Sequence, residues 1–229
     1  MKKLLVLLIG VVVVSSCNLR NSRNNGAEVT SVRHVRPFDR VEIKGLCDVI
    51  FTQGDNFGVK VVGPEALVKQ LKTHFSGTTL TIGNDKGVER LRLNGRRNRT
   101  TVYISSPDLV GVRLLGMGDF TVAGPLDTDT LNVYLQGMGD MEMENVICDA
   151  FNVTLHGMGD IDVHSLTAAR SDIRLKGMGD INIEFRSSGH ADCSVVGVGE
   201  IELSGTLKTL QKQVRGTGSI DVDDLFLSR

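Results

Sequence analysis

Tryptophan is absent from the 229 residues, tyrosine occurs twice, and aromatic residues make up 4% of the chain. A polysaccharide-cutting face built on aromatic platforms therefore has little to draw on. Positive charge is not in excess either. The formal net charge is −1, or −3 with Lys2 and Lys3 set aside, so no general attraction to nucleic acid or to an acidic membrane surface is expected. The N-terminal apolar run, Leu4 to Val14, is broken only by Gly10. It is short for a bilayer span and follows a positive n-region, which makes it an export signal.

Val14-Ser15-Ser16-Cys17 closes that signal like a bacterial lipobox: an aliphatic residue, two small residues, then the cysteine that takes the lipid. The expected organisation is a signal peptide over 1–16, a lipidated Cys17 with a polar tether to residue 30, and one domain over 31–229. Acyl burial contributes about 0.8 kcal/mol per methylene, so a lipidated Cys17 would hold the chain on a membrane from outside the cytoplasm. The tether carries no acidic run after the cysteine, which leaves the periplasmic face and the cell surface both open as destinations. Three cysteines remain: Cys47, Cys148 and Cys193. An odd number in an exported chain is no disulfide framework. Buried free thiols are the first reading, and one disulfide plus one thiol is the second.

What is abundant is Gly-x-Gly. Copies begin at Gly116, Gly137, Gly157, Gly177, Gly197 and Gly216, at intervals of 19 to 21 residues, with second glycines at Gly118, Gly139, Gly159, Gly179, Gly199 and Gly218. A fixed period near 20 marks a solenoid of stacked units. The stretch "IKGLCDVIF" from Ile43 reads as a degenerate earlier copy, with Cys47 in place of the second glycine. Between corners the chain alternates with period two. Leu131, Val133, Leu135, Gly137, Gly139, Met141 and Met143 share one parity, and Asn132, Tyr134, Gln136, Met138, Asp140 and Glu142 the other. Alternation of this kind is a strand signal. It puts both glycines on the inward face, where the strand bends or two walls approach. The predicted fold is all-β: a right-handed parallel β-helix with ~20-residue coils, each a strand, a glycine corner, a strand and a polar return. The less regular segment from Val32 to Ser106 reads as an N-terminal β-rich cap. It has strands at Val41–Ile43, Val49–Thr52, Val59–Val62, Leu80–Ile82 and Thr101–Ile104, one short helix in "GPEALVKQLKTH", and a basic loop "GRRNRT" from Gly95.

The lipobox, the β-rich entry and the repeated "GMGD" together resemble the head GIN domain family of auto-transporter adhesins, over roughly Phe38 to the C-terminus. The resemblance implies an exported, non-enzymatic β-helix with an adhesive or interaction role, and it supplies no catalytic residues. Methionine stands here where the family has a small residue between the glycines. No barrel-forming segment follows the repeats, so self-secretion is not expected.

The repeated residues allow several chemistries. A dinucleotide fingerprint needs a third glycine and a helix N-terminus; here Glu142 stands at that position and a strand follows. Asp119, Asp140, Asp160, Asp180 and Glu200 form an outward column, with Glu142, Asp162, Asn182, Glu202 and Asp221 beside it. Like charges at the rung spacing repel by about 1 kcal/mol per pair in water. Each Asp either accepts hydrogen bonds from corner amides or the column holds a weak calcium ion, although calcium wants six to eight oxygens in a cage. No other cofactor is expected. Met117, Met138, Met158 and Met178 take the outward position between the glycines, followed by Val198 and Thr217. They form either an exposed apolar ridge suited to binding or a row turned sideways under a loop. His156 aligns with Gln136 and Lys176, so no histidine column forms, and His164 and His190 read as solvated surface residues. No nucleophile motif stands out. The expected function is binding of a protein or glycan partner without catalysis. A polysaccharide-binding module or carbohydrate-active enzyme on the same architecture is the alternative.

Overall fold

The computed structural model describes residues 27–84 and 99–228. The signal peptide, Cys17, most of the tether and most of the basic loop lie outside them.

Five long strand segments form the body: β9 (Phe120–Leu135), β10 (Met141–Leu155), β11 (Ile161–Leu175), β12 (Ile181–Val195) and β13 (Glu200–Val214). Each pairs in parallel with the next, with a register offset of 19 to 21 residues, for example Phe151↔Leu131 and Phe151↔Ser171. The result is a β-solenoid of about six turns with ~20-residue coils. The core is a set of inward columns continued from coil to coil. One runs Leu131, Phe151, Ser171, Ala191, and its neighbour runs Val133, Val153, Ile173, Cys193. All eight side chains are buried. The largest ring, Phe151, has the small Ser171 beside it, which keeps the volume of the stack even.

The polar return expected between corners is itself strand. Along β10 the buried residues are Met141 and Met143, then Val146 and Cys148, then Phe151, Val153 and Leu155, with phase slips at Asn145 and Ala150. Two slips per coil let the chain turn without leaving the hydrogen-bonded ladder.

The N-terminal region closes one end. β2 (Arg40–Ile43) and β3 (Cys47–Gln53) lie on β8 (Gly111–Leu114) and β9 as a further coil. β6 (Thr79–Asn84) and β7 (Thr100–Ser106) lie beyond them in parallel. The stack then ends in antiparallel strands: β5 (Leu71–Ser76) on β6, β4 (Gly58–Pro64) on β7, and β1 (Glu28–Val32) on β4. Changing from parallel to antiparallel pairing covers an edge that would otherwise present unpaired amides to another chain. β1 takes in Glu28 to Thr30, which the sequence reading gave to the tether. The short helix α1 spans Glu65–Gln70, with Pro64 at its N-cap. Leu71, inside the stretch expected to be helical, belongs to β5.

At the other end β14 (Ser219–Asp221) and β15 (Leu225–Leu227) pair only with Glu200–Glu202 and Gly205–Leu207 of β13. Among the described residues no strand covers the outer edge of β13 from Lys208 to Val214.

Candidate functional site

The repeated corner is built by backbone contact between coils. At the corner of Gly157, Met158 N–H donates back to Gly137 O at 3.1 Å, and Gly159 N–H donates forward to Met178 O at 3.3 Å. A Cβ on Gly157 would lie 2.2 Å from Gly137 O, and one on Gly159 would lie 2.1 Å from Gly139 O. The glycines are therefore required because a side chain would point along the stack into the neighbouring coil. The expectation had them clear the inward face where the strand bends or two walls approach; the close approach here is between successive coils along the stack. Gly118, Gly139, Gly159, Gly179 and Gly199 also hold φ between +133° and +140°, which L side chains rarely adopt. The last corner differs, with the positive φ at Gly216 instead of Gly218. In the first corner Leu46 bridges Met117, which makes "GLCD" the first rung. Cys47 takes the second glycine's place there and is fully buried.

The aspartates form a ladder. Asp160 N–H donates to Asp140 Oδ1 at 3.0 Å, Asp180 N–H to Asp160 Oδ1 at 2.9 Å, and Glu200 N–H to Asp180 Oδ1 at 2.8 Å. Asp140 donates in the same way to Asp119, and Asp119 to Asp48. The amide served belongs to the next coil rather than to the residue's own corner. Each bond sets a partial positive charge between two carboxylates, which offsets their mutual repulsion. Arg99 closes the top of the column, at 3.0 Å from Asp48 and 3.7 Å from Asp119. One oxygen of each inner carboxylate is thus committed to backbone. Among the described residues no group of three or more His, Cys, Asp or Glu is placed to hold a metal. The second acidic column is cross-linked locally: Asn182 donates to Asp162 at 2.7 Å, and His164 lies 3.0 Å from Glu142. His190 likewise contacts Thr209 and Asp192, so neither histidine is isolated.

Of the four methionines Met117 is half-buried, and the later three stand outward. Met138, Met158, Met178 and Val198 are 44%, 45%, 53% and 56% exposed, and isolated parallel bridges hold them in register from Leu46 to Val198. No loop among the described residues covers them. Beside this ridge, on the side away from the aspartates, an open trough of about 650 Å³ runs over the first glycines. Its far wall is the column Lys44, Leu115, Gln136, His156 and Lys176. Lys44 is paired with Glu42 at 2.8 Å. Among the described residues no ion pair engages Lys176 or Arg215, which continues this column.

Other chemistry finds little support in the geometry. Both tyrosine rings already carry a cation: Lys60 Nζ lies 4.5 Å from the Tyr103 centroid and Arg113 Cζ 5.3 Å from that of Tyr134. Cys47, Cys148 and Cys193 are buried and unpaired. Burial, helped by the neighbouring aspartates, pushes each thiol up to about 12. Such thiols are poor nucleophiles. Sequence reasoning aligned the column and left the methionines open between an exposed ridge and a covered row; it missed the trough wall and the Arg99 closure.

No curated protein matches the chain in sequence. Solved structures share the fold. A "putative adhesin" from Bacteroides fragilis superposes with a TM-score of 0.70 at 22% identity, covering 85% of this chain and 96% of its own. A "putative adhesin" from Parabacteroides merdae gives 0.60 at 16%, covering 86% and 96%. A "putative lipid binding protein" from Parabacteroides distasonis gives 0.54 at 20%, covering 86% and 97%. The model of one protein family matches residues 37–184 and again 152–229. With that match running over nearly all of a solenoid of stacked Gly-x-Gly corners, the chain belongs to the family described as "Putative auto-transporter adhesin, head GIN domain".

Proposed function

We propose that this chain is an exported lipoprotein, anchored in the outer membrane through Cys17, whose solenoid is a binding domain for adhesion or for contact with other envelope proteins. It works by display, without turnover. The observation that carries the reading is the in-register ridge of Met138, Met158, Met178 and Val198, each near half-exposed. Contiguous apolar strips of this kind usually mark interaction sites, and flexible thioethers adapt to a partner's shape. The lipobox at Val14 to Cys17 supports the anchor.

Two measurements test the reading. Radiolabelled palmitate should enter the chain and be lost on Cys17→Ser; an unlabelled wild type would remove the anchor. Cells displaying the Met138→Ser/Met158→Ser/Met178→Ser variant at the wild-type level should adhere less to matrix, host or neighbouring cells. Equal adhesion would remove the ridge from the function.

A further inference from the structure

The outward columns at the corner have a handed order. With the solenoid axis vertical, the order is a column with unpaired Lys176 and Arg215, then the glycine trough, then the methionine ridge, then the carboxylates of Asp140, Asp160, Asp180 and Glu200. Among the described residues these four carboxylates have no cationic partner. A strip that is basic on one side of an apolar ridge and acidic on the other is complementary to itself in one orientation. Turning a second copy by 180° about a vertical axis in the strip brings ridge to ridge and sets each basic column against the other's carboxylates. Turning it about a horizontal axis would oppose acid to acid and base to base, which is costly. A small lateral offset lets each ridge enter the other's trough, whose glycine floor presents no side chains.

We propose that the Gly-Met-Gly-Asp corner is a self-association face, on which two copies of this chain pair side by side and parallel about a two-fold axis along the solenoid. The proposal rests on the reading of the ridge as an interaction surface and names its partner. Coil height is preserved by the operation, so each rung meets its own counterpart. Lys176 faces the partner copy's stretch of carboxylates from Asp160 to Glu200, and Arg215 faces the end of that stretch. Both N-termini fall at the same end, so two chains anchored in one membrane can pair without bending. The strip is about 25 Å long at the ~4.8 Å rung spacing, small for a specific interface. The dimer is therefore weak in solution and reinforced by confinement to a surface.

The test uses the chain carrying Cys17→Ser, which removes lipid and that thiol. Sedimentation velocity up to about 0.5 mM should show a reversible dimer with a Kd on the order of 0.05 mM, weakening with salt. The triple methionine-to-serine variant and Lys176→Glu/Arg215→Glu should each weaken it by about tenfold or more, with unchanged circular dichroism. Met138→Cys and Met178→Cys, made separately, should each cross-link to the same residue of a second copy on oxidation. An antiparallel pair brings like residues together only near one central rung, and would give neither or one. A monomer at every concentration overturns the proposal, as does a dimer indifferent to both sets of variants or a failure of both cross-links. If the chain is monomeric yet the triple variant loses cell adhesion, self-pairing is wrong and the interaction surface stands. If adhesion is also unchanged, both fall.

Discussion

Gly157→Ala isolates the contact on which the stack depends. Gly157 has no unusual φ, so alanine meets no backbone penalty of its own. The whole effect comes from a Cβ 2.2 Å from Gly137 O and 2.7 Å from Gln136 C, where ordinary contacts begin near 3.4 Å. Those atoms are backbone, held by Met158 N–H to Gly137 O and Gly157 N–H to Leu135 O, both 3.1 Å. Relieving the clash means opening the corner by about 1 Å and weakening both bonds. Two ladder bonds are worth about 1 kcal/mol each, and overpacking costs about 1–3 kcal/mol. Alanine recovers about 0.4–1 kcal/mol through lower unfolded-chain entropy. The net loss is about 2–4 kcal/mol, a large share of a domain's usual margin. Urea melts followed by circular dichroism read this directly, and a broadened transition would show coils uncoupling at that rung. Gly54→Ala is the control: nothing lies within 4 Å of its Cβ and its φ is ordinary, so it should change stability by less than about 0.5 kcal/mol. If Gly157→Ala melted with the control, the close-approach account of the repeat would be wrong.

Three further outcomes follow from the same geometry. Asp160→Ala leaves Asp180 N–H without its acceptor and should cost about 1–2 kcal/mol in the same melts, whereas Asp160→Asn keeps the oxygen and should cost less; equal losses would refute the ladder. The thiols ionise near 12 in the fold against 9.0 for an ordinary cysteine, so a disulfide reagent at pH 8 should label the native chain roughly 1,000-fold more slowly than the denatured one. Both states hold these protons below pH 9, so stability is unaffected there and falls as pH rises from 9 towards 12, where the unfolded chain loses them first; Cys148→Ala should flatten that slope. Lys212 continues the inward column of Ile173 and Cys193 but lies exposed on the uncovered edge of β13, so Lys212→Val should make chains associate end to end in light scattering, while an unchanged size would deny the lysine a blocking role.

Much of the body was legible because parallel stacking repeats the sequence. Period-two alternation and the ~20-residue interval fix which residues face inward; parity put Met138, Met158 and Met178 on the outward side, and the structure decides that they are exposed rather than covered by a loop. The other two turns of each coil were not legible. In β10 and β11 they fall at residues such as Asn145 and Ala150, with neither glycine nor proline to mark them, and Gly124-Pro125, Gly189 and Gly205 stand at these turns only in other coils. The role of the glycines was seen only in part, since alternation tells in from out but not along the stack. The Asp ladder and the closure by Arg99 join residues 20 to 71 positions apart. No local pattern encodes such pairs. The cap was legible as strands but not as antiparallel ones, because a strand's own residues carry little information about its partner's direction. "LKTH" reads as the end of the helical stretch and becomes β5 because β6 offers it a full set of antiparallel partners.

The corner shows how one short motif serves both stability and display. Its glycines let backbones approach until methionine amides and carbonyls bridge coil to coil. Once the amides are spent on that bridge, the side chain between the glycines has nowhere to go but outward. From Met138 onward the residue placed there is displayed at rung spacing without a contribution to the core, whereas Leu46 at the first rung is buried and Met117 is half-buried. From corner to corner the position changes in chemistry while the first glycine is constant and the second gives way only to Cys47. Here it holds Leu46, four methionines, Val198 and Thr217, and the flanking column holds Lys44, Leu115, Gln136, His156, Lys176, Val196 and Arg215. The aspartate on the other side is not free in the same way, because its oxygen serves the next coil's amide. A change of binding specificity is thus expected at the residues before and between the glycines, with the acidic column left in place as part of the frame.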